Sequence, residues 1–254
     1  MGSPIPSIMN SEGLKVPFFN SENETWEERD ERCQREETEK DRKIHQETPE
    51  KIMKSFVPKK FLDRSLDSFE GAENVKKVCL EYVGDFECEV SQYLYGKRIK
   101  KPGSILFTGK TGCGKTHLAV AIIRELVKRA WAHEIKFITA PELLLEIRAT
   151  FRPSIRKYDD GGRCEADTEQ DVLDKYSKCD LLLLDDLGSE KVSDFTIQSL
   201  YLVIDRRNRD LRPTIVTTNL SLEEIETQID ARMASRLADM KVVKLTMPDY
   251  RKKR

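Results

Sequence analysis

Very little in this sequence marks a metal, redox or membrane protein. Its 254 residues include only six cysteines and three histidines. Cys33, Cys79, Cys88, Cys113, Cys164 and Cys179 form no C-x-x-C pair, and His45, His117 and His133 are too scattered to complete a zinc site. Reduced structural thiols are therefore the expectation. Cys113 is the exception worth following, because it sits inside a glycine-rich loop where a thiolate would be stabilised and redox-sensitive. No apolar run approaches the roughly 20 residues of a membrane helix. The polar start Met1-Gly2-Ser3-Pro4 carries no secretory core, so a cytoplasmic protein without a membrane partner is expected. An excess of one charge is missing too: 44 basic residues face 45 acidic ones. Overall charge therefore gives no nucleic-acid signature, and any such site must be a local patch.

What is present is a phosphate loop. Gly109-Lys110-Thr111-Gly112-Cys113-Gly114-Lys115-Thr116 reads G-x-x-x-x-G-K-T. The apolar run Ser104–Thr108 leads in as a buried strand, and an amphipathic helix from Thr116 to Ala130 leads out. Glycines let backbone N–H groups turn toward phosphate oxygens, and the helix N-terminus adds its dipole. Lys115 would reach the β- and γ-phosphates while the Thr116 hydroxyl ligates Mg²⁺, with His117 closing the run. ATP and Mg²⁺ are the expected ligands.

Around this motif the chain divides into zones. Residues 1–24, rich in Pro, Ser, Asn and Gly, are expected to be disordered or weakly held. Residues 25–55 are dense in both charges with few apolar anchors, which reads as a solvated helix and candidate partner-binding arm. Residues 56–250 alternate helix and strand signals, and 251–254 form a basic tail. Within the main zone the spacing predicts a helix over Glu73–Gly96. Further strands are expected at Ile135–Thr139, Asp180–Asp185, Thr214–Thr218 and Val242–Leu245. Helices are expected at Pro141–Ala149, Ser193–Arg209, Leu222–Gln228 and Asp230–Asp239. The polar stretch with Pro153 and Asp159-Asp160-Gly161-Gly162 reads as a surface loop. Such alternation gives an α/β fold, a five-stranded parallel sheet between helices, with ligand at the carboxyl ends of the strands.

Two strands carry further chemistry. Leu181-Leu182-Leu183-Leu184-Asp185-Asp186 is a strand buried on both faces that ends in two carboxylates. Asp185 would complete the Mg²⁺ shell and Asp186 would orient or deprotonate the attacking water. Thr214–Thr218 runs into Asn219, whose amide can bond the lytic water or the γ-phosphate.

In these residues the chain resembles the AAA+ ATPases. More narrowly it resembles their DnaC/IstB-like helicase-loader group, through Val57-Pro58-Lys59-Lys60-Phe61, Leu184-Asp185-Asp186-Leu187-Gly188, Ile204-Asp205-Arg206-Arg207 and Ala231-Arg232-Met233-Ala234-Ser235-Arg236-Leu237. The resemblance spans about residues 55–250. It implies head-to-tail self-assembly with ATP, in which an arginine of one protomer completes the next protomer's site. Arg236 is the expected finger and Arg232 its neighbour; the local alternative is an ion pair with Asp230 or Asp239. Many relatives have Glu at the position of Asp186, so slow hydrolysis is expected, suiting a switch. The chain stops soon after Asp239, so a helical lid is expected to be reduced or absent.

The resemblance also implies a hexameric replicative DNA helicase and single-stranded DNA as partners. Arg148, Phe151, Arg152, Arg156, Lys157 and Tyr158 offer cations and stacking surfaces for the DNA. Arg206, Arg207, Arg209 and Arg212 form a second basic group, and Arg251-Lys252-Lys253-Arg254 a third. The rivals are an IstB-like ATP-dependent transposition helper and a nucleotide-binding adaptor without turnover. A small-molecule kinase is disfavoured, since Asn219 and the Arg232/Arg236 helix would have no role there.

Overall fold

The computed structural model describes residues 7–9, 15–17, 48–71, 73–94, 103–129, 134–151 and 168–250, and divides into two compact units, Met1–Gln46 and Glu47–Arg254. In the first unit, β1 (Ser7–Met9) pairs antiparallel with β2 (Lys15–Pro17). Three-residue strands are too short to leave a periodic signal, and the sequence reading expected no regular structure here. The charged stretch expected as a helix lies outside the described residues up to residue 47.

The second unit begins at Glu47, ahead of the boundary read at residue 56. Its first helix, α1 (Pro49–Phe56), starts at a proline whose missing N–H costs nothing in a first turn. Met53 and Val57 are buried in the same apolar cluster as the phosphate-loop helix, so α1 packs in the core of this unit. A short 3₁₀ turn at Lys59–Phe61 leads on to α2 (Glu73–Leu94).

The remaining elements follow the expected alternation: β3 (Ile105–Gly109), α3 (Lys115–Lys128), β4 (Ile135–Thr139), α4 (Ala140–Thr150), α5 (Glu169–Lys178), β5 (Leu181–Leu187), α6 (Asp194–Arg209), β6 (Thr214–Thr218), α7 (Leu222–Gln228), α8 (Ala231–Ala238) and β7 (Lys241–Leu245). The strands form one parallel sheet in the order β4-β5-β6-β3-β7. Alternate side chains leave each strand on opposite faces. Ile105, Phe107, Leu181, Leu183 and Ile215 accordingly pack with α1, α2 and α3. Leu106, Leu182, Leu184 and Val216 pack with α4 to α8 on the other side. No α-helix follows β7 among the described residues.

One helix and one side chain stand apart from the sequence reading. Helix α5 occupies a stretch to which the sequence reading assigned no element. Its start is fixed by a capping box in which Thr168 accepts from the Asp171 N–H and Asp171 accepts from the Thr168 N–H. Val172, Leu173 and Tyr176 then face the core at helical spacing. (Pro153 and residues 159–162 lie outside the described residues.) Also, Arg207 is no surface cation. It is fully buried and donates to the carbonyls of Tyr176, Ser177, Cys179 and Pro213 and to the Thr214 hydroxyl, tying α5 to the start of β6. Arg206 pairs with Asp174 and Arg212 with Asp180, so most of that basic group is engaged inside the fold.

Candidate active site

Strands β5, β6 and β3 are neighbours, so their carboxyl ends deliver Asp185, Asn219 and the phosphate loop side by side. The loop turns sharply into α3 through Gly114 at φ 96° and Gly112 at φ 80°, where a side chain would be strained. Space forbids one as well. A Cβ on Gly114 would lie 2.6 Å from the Phe69 ring, and one on Gly112 would lie 1.8 Å from Asp249 Oδ1. The segment after β7 thus closes over the loop, and the Tyr250 N–H donates to Gly112 O at 3.1 Å.

Lys115, 6% exposed, projects its ammonium across the loop and donates to Gly109 O at 2.8 Å, Lys110 O at 3.0 Å and Asn219 Oδ1 at 2.7 Å. The Asn219 amide N–H in turn donates to Asp186 Oδ1 at 3.1 Å, and the Thr111 hydroxyl lies 3.5 Å from Asn219 Oδ1. The amide orientation is settled by its partners: a cation needs the oxygen and a carboxylate needs the N–H.

Asp185 is buried and accepts two hydroxyl protons on Oδ1, from Thr116 at 2.8 Å and Thr217 at 2.6 Å. Burial pushes its carboxyl above the usual carboxylate range; the two hydroxyl donors oppose this, and the adjacent Asp186 charge adds to it. A divalent cation would relieve that penalty. Thr116 and Asp185 are hard oxygen donors and fit Mg²⁺, which takes few protein ligands beside phosphate oxygens. The described residues hold no cluster of three His, Cys, Asp or Glu for an all-protein metal site. Asp186 follows at φ 62°, an uncommon conformation for a residue with a side chain, at an irregularity in the β5–β6 pairing. Its carbonyl accepts from the Ser189 hydroxyl at 2.7 Å. Glu190 folds back on the same turn, accepting from the Gly188 N–H at 3.1 Å, and burial raises its carboxyl.

Other expected residues stand elsewhere. His117 turns from the loop to the entry segment, with Nε2 2.8 Å from Ser65 O and 3.2 Å from Ser68 Oγ, its ring 5.3 Å from that of Phe69. Burial holds that imidazole below its ordinary range, against the opposing bond to Ser65. Cys113 is fully buried, so the redox sensitivity expected of it has no access from solvent. On α8, Arg232 pairs with Asp230 at 3.1 Å and lies over the Tyr201 ring at 4.9 Å. Arg236 pairs with Asp205 of α6 at 2.8 Å, a partner the sequence reading did not name. At the end of α4, the Arg148 guanidinium sits 5.0 Å from the centre of the Phe195 ring, and exposed Phe151 meets Phe195 at 5.8 Å. Phe195, at the start of α6, was not named as a candidate; it falls inside the helix expected at Ser193–Arg209, where an aromatic reads as core. Arg152, Arg156, Lys157 and Tyr158 lie outside the described residues, as does the 251–254 tail.

Comparison with known proteins bears on the family and the fold. The family model for the IstB-like ATP binding protein matches residues 96–254. The replicative helicase loader DnaC of Escherichia coli K12 is 29% identical over 168 residues, 66% of this chain and 58% of that protein. DnaC of Buchnera aphidicola subsp. Baizongia pistaciae is 27% identical over 177 residues, 68% of this chain and 67% of that one. The chain thus spans less than two thirds of the E. coli relative. Among solved structures, the DnaC helicase loader matches with TM-score 0.57 at 22% identity, over 75% of this chain and all of that one. The replication initiator DnaA bound to AMPPCP and single-stranded DNA matches with TM-score 0.55 at 19% identity, over 76% of this chain and 52% of that one. At such identities the structures speak for the fold alone, which is the AAA+ P-loop fold. The family match over most of the chain, on a sheet that carries a phosphate loop, paired carboxylates and a strand-end asparagine, places the protein in the IstB-like ATP-binding family.

Proposed function

We propose that this chain hydrolyses ATP slowly and uses the cycle as a switch while loading a hexameric replicative helicase onto single-stranded DNA. The observation that supports this best is the link Lys115–Asn219–Asp186, which joins the phosphate loop to the second carboxylate through one amide. In this reading Lys115 leaves the loop carbonyls for the β- and γ-phosphates, and Asn219 registers the change. Thr116 and Asp185 hold Mg²⁺, which when bound would neutralise charge on the phosphate oxygens. Asp186 orients the attacking water and takes its proton. Arg236 of a neighbouring copy, released from Asp205, completes the site on assembly.

The single-stranded DNA would run past Arg148, Phe151 and Phe195, with Arg152, Arg156 and Lys157 on its phosphates. The helicase would be gripped by the segment ahead of residue 47. The test is capture from host lysate with ATP, comparing the full chain with one starting at Glu47, which keeps α1 and its buried Met53. A replicative helicase recovered only with the full chain supports the loader. A transposase in its place would move the protein to the IstB-like transposition branch. A chain that binds ATP but never releases phosphate, even with DNA and partner, would be an adaptor.

A further inference from the structure

Where β5 meets β6, Leu184 is level with Val216 and Leu187 with Thr218. Asp185 and Asp186 therefore stand opposite the single residue Thr217. A bulge of this kind leaves one N–H of the longer strand without a ladder partner, and a buried N–H must find another. The Thr217 hydroxyl is that partner: it accepts the Asp186 N–H at 2.9 Å. Its one proton goes to Asp185 Oδ1 at 2.6 Å. Thr217 is 1% exposed, so water does not compete for either bond.

We propose that Thr217 is a positioning residue of the nucleotide site, its single hydroxyl setting the side chain of Asp185 and the backbone of Asp186 together. The role rests on the nucleotide reading above. Thr116 and Thr217 both donate to Asp185 Oδ1, but only Thr116 has a second task, toward Mg²⁺. Thr217 is then the donor that stays when Thr116 is drawn to the metal. From the same strand end, Asn219 holds the Asp186 carboxylate while Thr217 holds its N–H, so β6 fixes that residue at both ends. A valine would fill the same space and make neither bond.

The test pairs Thr217→Val with Thr217→Ser and follows a fluorescent ATP analogue by equilibrium titration, with and without Mg²⁺, beside phosphate release. Residues that orient metal ligands typically matter about tenfold to a hundredfold in metal affinity or activity. Thr217→Val should bind the metal-free nucleotide within about twofold of wild type, yet need about tenfold more Mg²⁺ for its metal-dependent signal and turn over about tenfold more slowly. Thr217→Ser should restore both. Thr217→Ala supplies a second hydroxyl-free variant should the valine disturb folding. A wild-type Mg²⁺ response in Val or Ala, or a serine variant as impaired as valine, overturns the role. If Lys115→Ala binds the analogue as wild type does, the nucleotide reading falls and this role falls with it. If Lys115→Ala loses binding while Thr217→Val keeps the wild-type Mg²⁺ response, only the role of Thr217 falls.

Discussion

Lys115 and Asn219 are 104 residues apart in the chain, and the lysine ammonium donates to the asparagine oxygen at 2.7 Å. The same amide also donates to Asp186. In the proposed function, a phosphate that drew Lys115 forward would be felt at the second carboxylate, joining phosphate binding to water positioning through one side chain.

Lys115→Ala should therefore weaken ATP binding by about tenfold to a hundredfold, the usual cost of losing a charge-assisted bond. Asn219→Ala should leave binding within a few-fold but cut hydrolysis. Titration with a fluorescent analogue and a phosphate-release assay separate the two. Equal affinity in wild type and Lys115→Ala would remove the phosphate-loop assignment.

Asp185 should show a conflict between stability and activity. Its carboxylate is nearly dehydrated, and burying a charge is costly unless fully compensated. Asp185→Asn, measured without nucleotide, should raise the melting temperature by about 2–4 °C, the shift about 1 kcal/mol gives in a chain of this size. The same substitution should abolish Mg²⁺-dependent hydrolysis. A lowered melting temperature would mean that the two threonine hydroxyls overcompensate the buried charge.

Arg207 should matter for stability and not for chemistry. Removing its guanidinium leaves the carbonyls of Tyr176, Ser177, Cys179 and Pro213 short of donors inside the protein. Arg207→Ala should cost about 3–5 kcal/mol. Lysine should rescue little, since it has no planar fork to reach four carbonyls. Thermal unfolding checks both, and a near-native melting temperature for either variant would contradict the packing.

These residues also show what the sequence could and could not disclose. The sheet was legible because four consecutive leucines, Leu181–Leu184, admit few environments other than a strand covered on both faces, and because the phosphate loop dictates its own strand and helix. Helix α5 was legible and went unread: Thr168-x-x-Asp171 ahead of Val172, Leu173 and Tyr176 is a capping signal followed by helical spacing. The bulge at Asp185 and Asp186 was not legible, since it is a property of pairing with β6 and not of either strand alone. Thr217 was hidden for the same reason, as a threonine in a buried strand reads only as a good strand former. Arg207 looked like its exposed neighbours because burial of a cation depends on carbonyls from a helix some 30 residues away in sequence.

Arg236 tests assembly. In its own chain it pairs with Asp205, so serving a neighbour requires that bond to be exchanged. Arg236→Ala should keep ATP affinity and lose assembly-dependent hydrolysis by at least about a hundredfold, toward the range known for arginine fingers. Mixed with Asp186→Asn protein, which keeps its arginine, it should regain part of the activity. A mixture no more active than either variant alone would argue against a finger supplied in trans.

Phe151, Phe195 and Arg148 test the DNA path, and each should fail in its own way. Arg148 lies over the Phe195 ring and Phe151 meets its edge, so the three present one surface at the end of α4. Phe151 is 57% exposed and free to stack on a base. Aromatic stacking is worth about 1–3 kcal/mol per base, so Phe151→Ala should weaken single-strand binding by about tenfold at every salt concentration. Arg148→Ala should weaken it chiefly at low salt and lower the salt slope by about one, as expected for one lost phosphate contact. Phe195→Ala should do some of each, since it removes a stacking face and the support of the arginine together. Fluorescence anisotropy with a labelled oligonucleotide across a salt series distinguishes the three patterns. If all three variants bind as wild type does, the strand passes elsewhere on the protein.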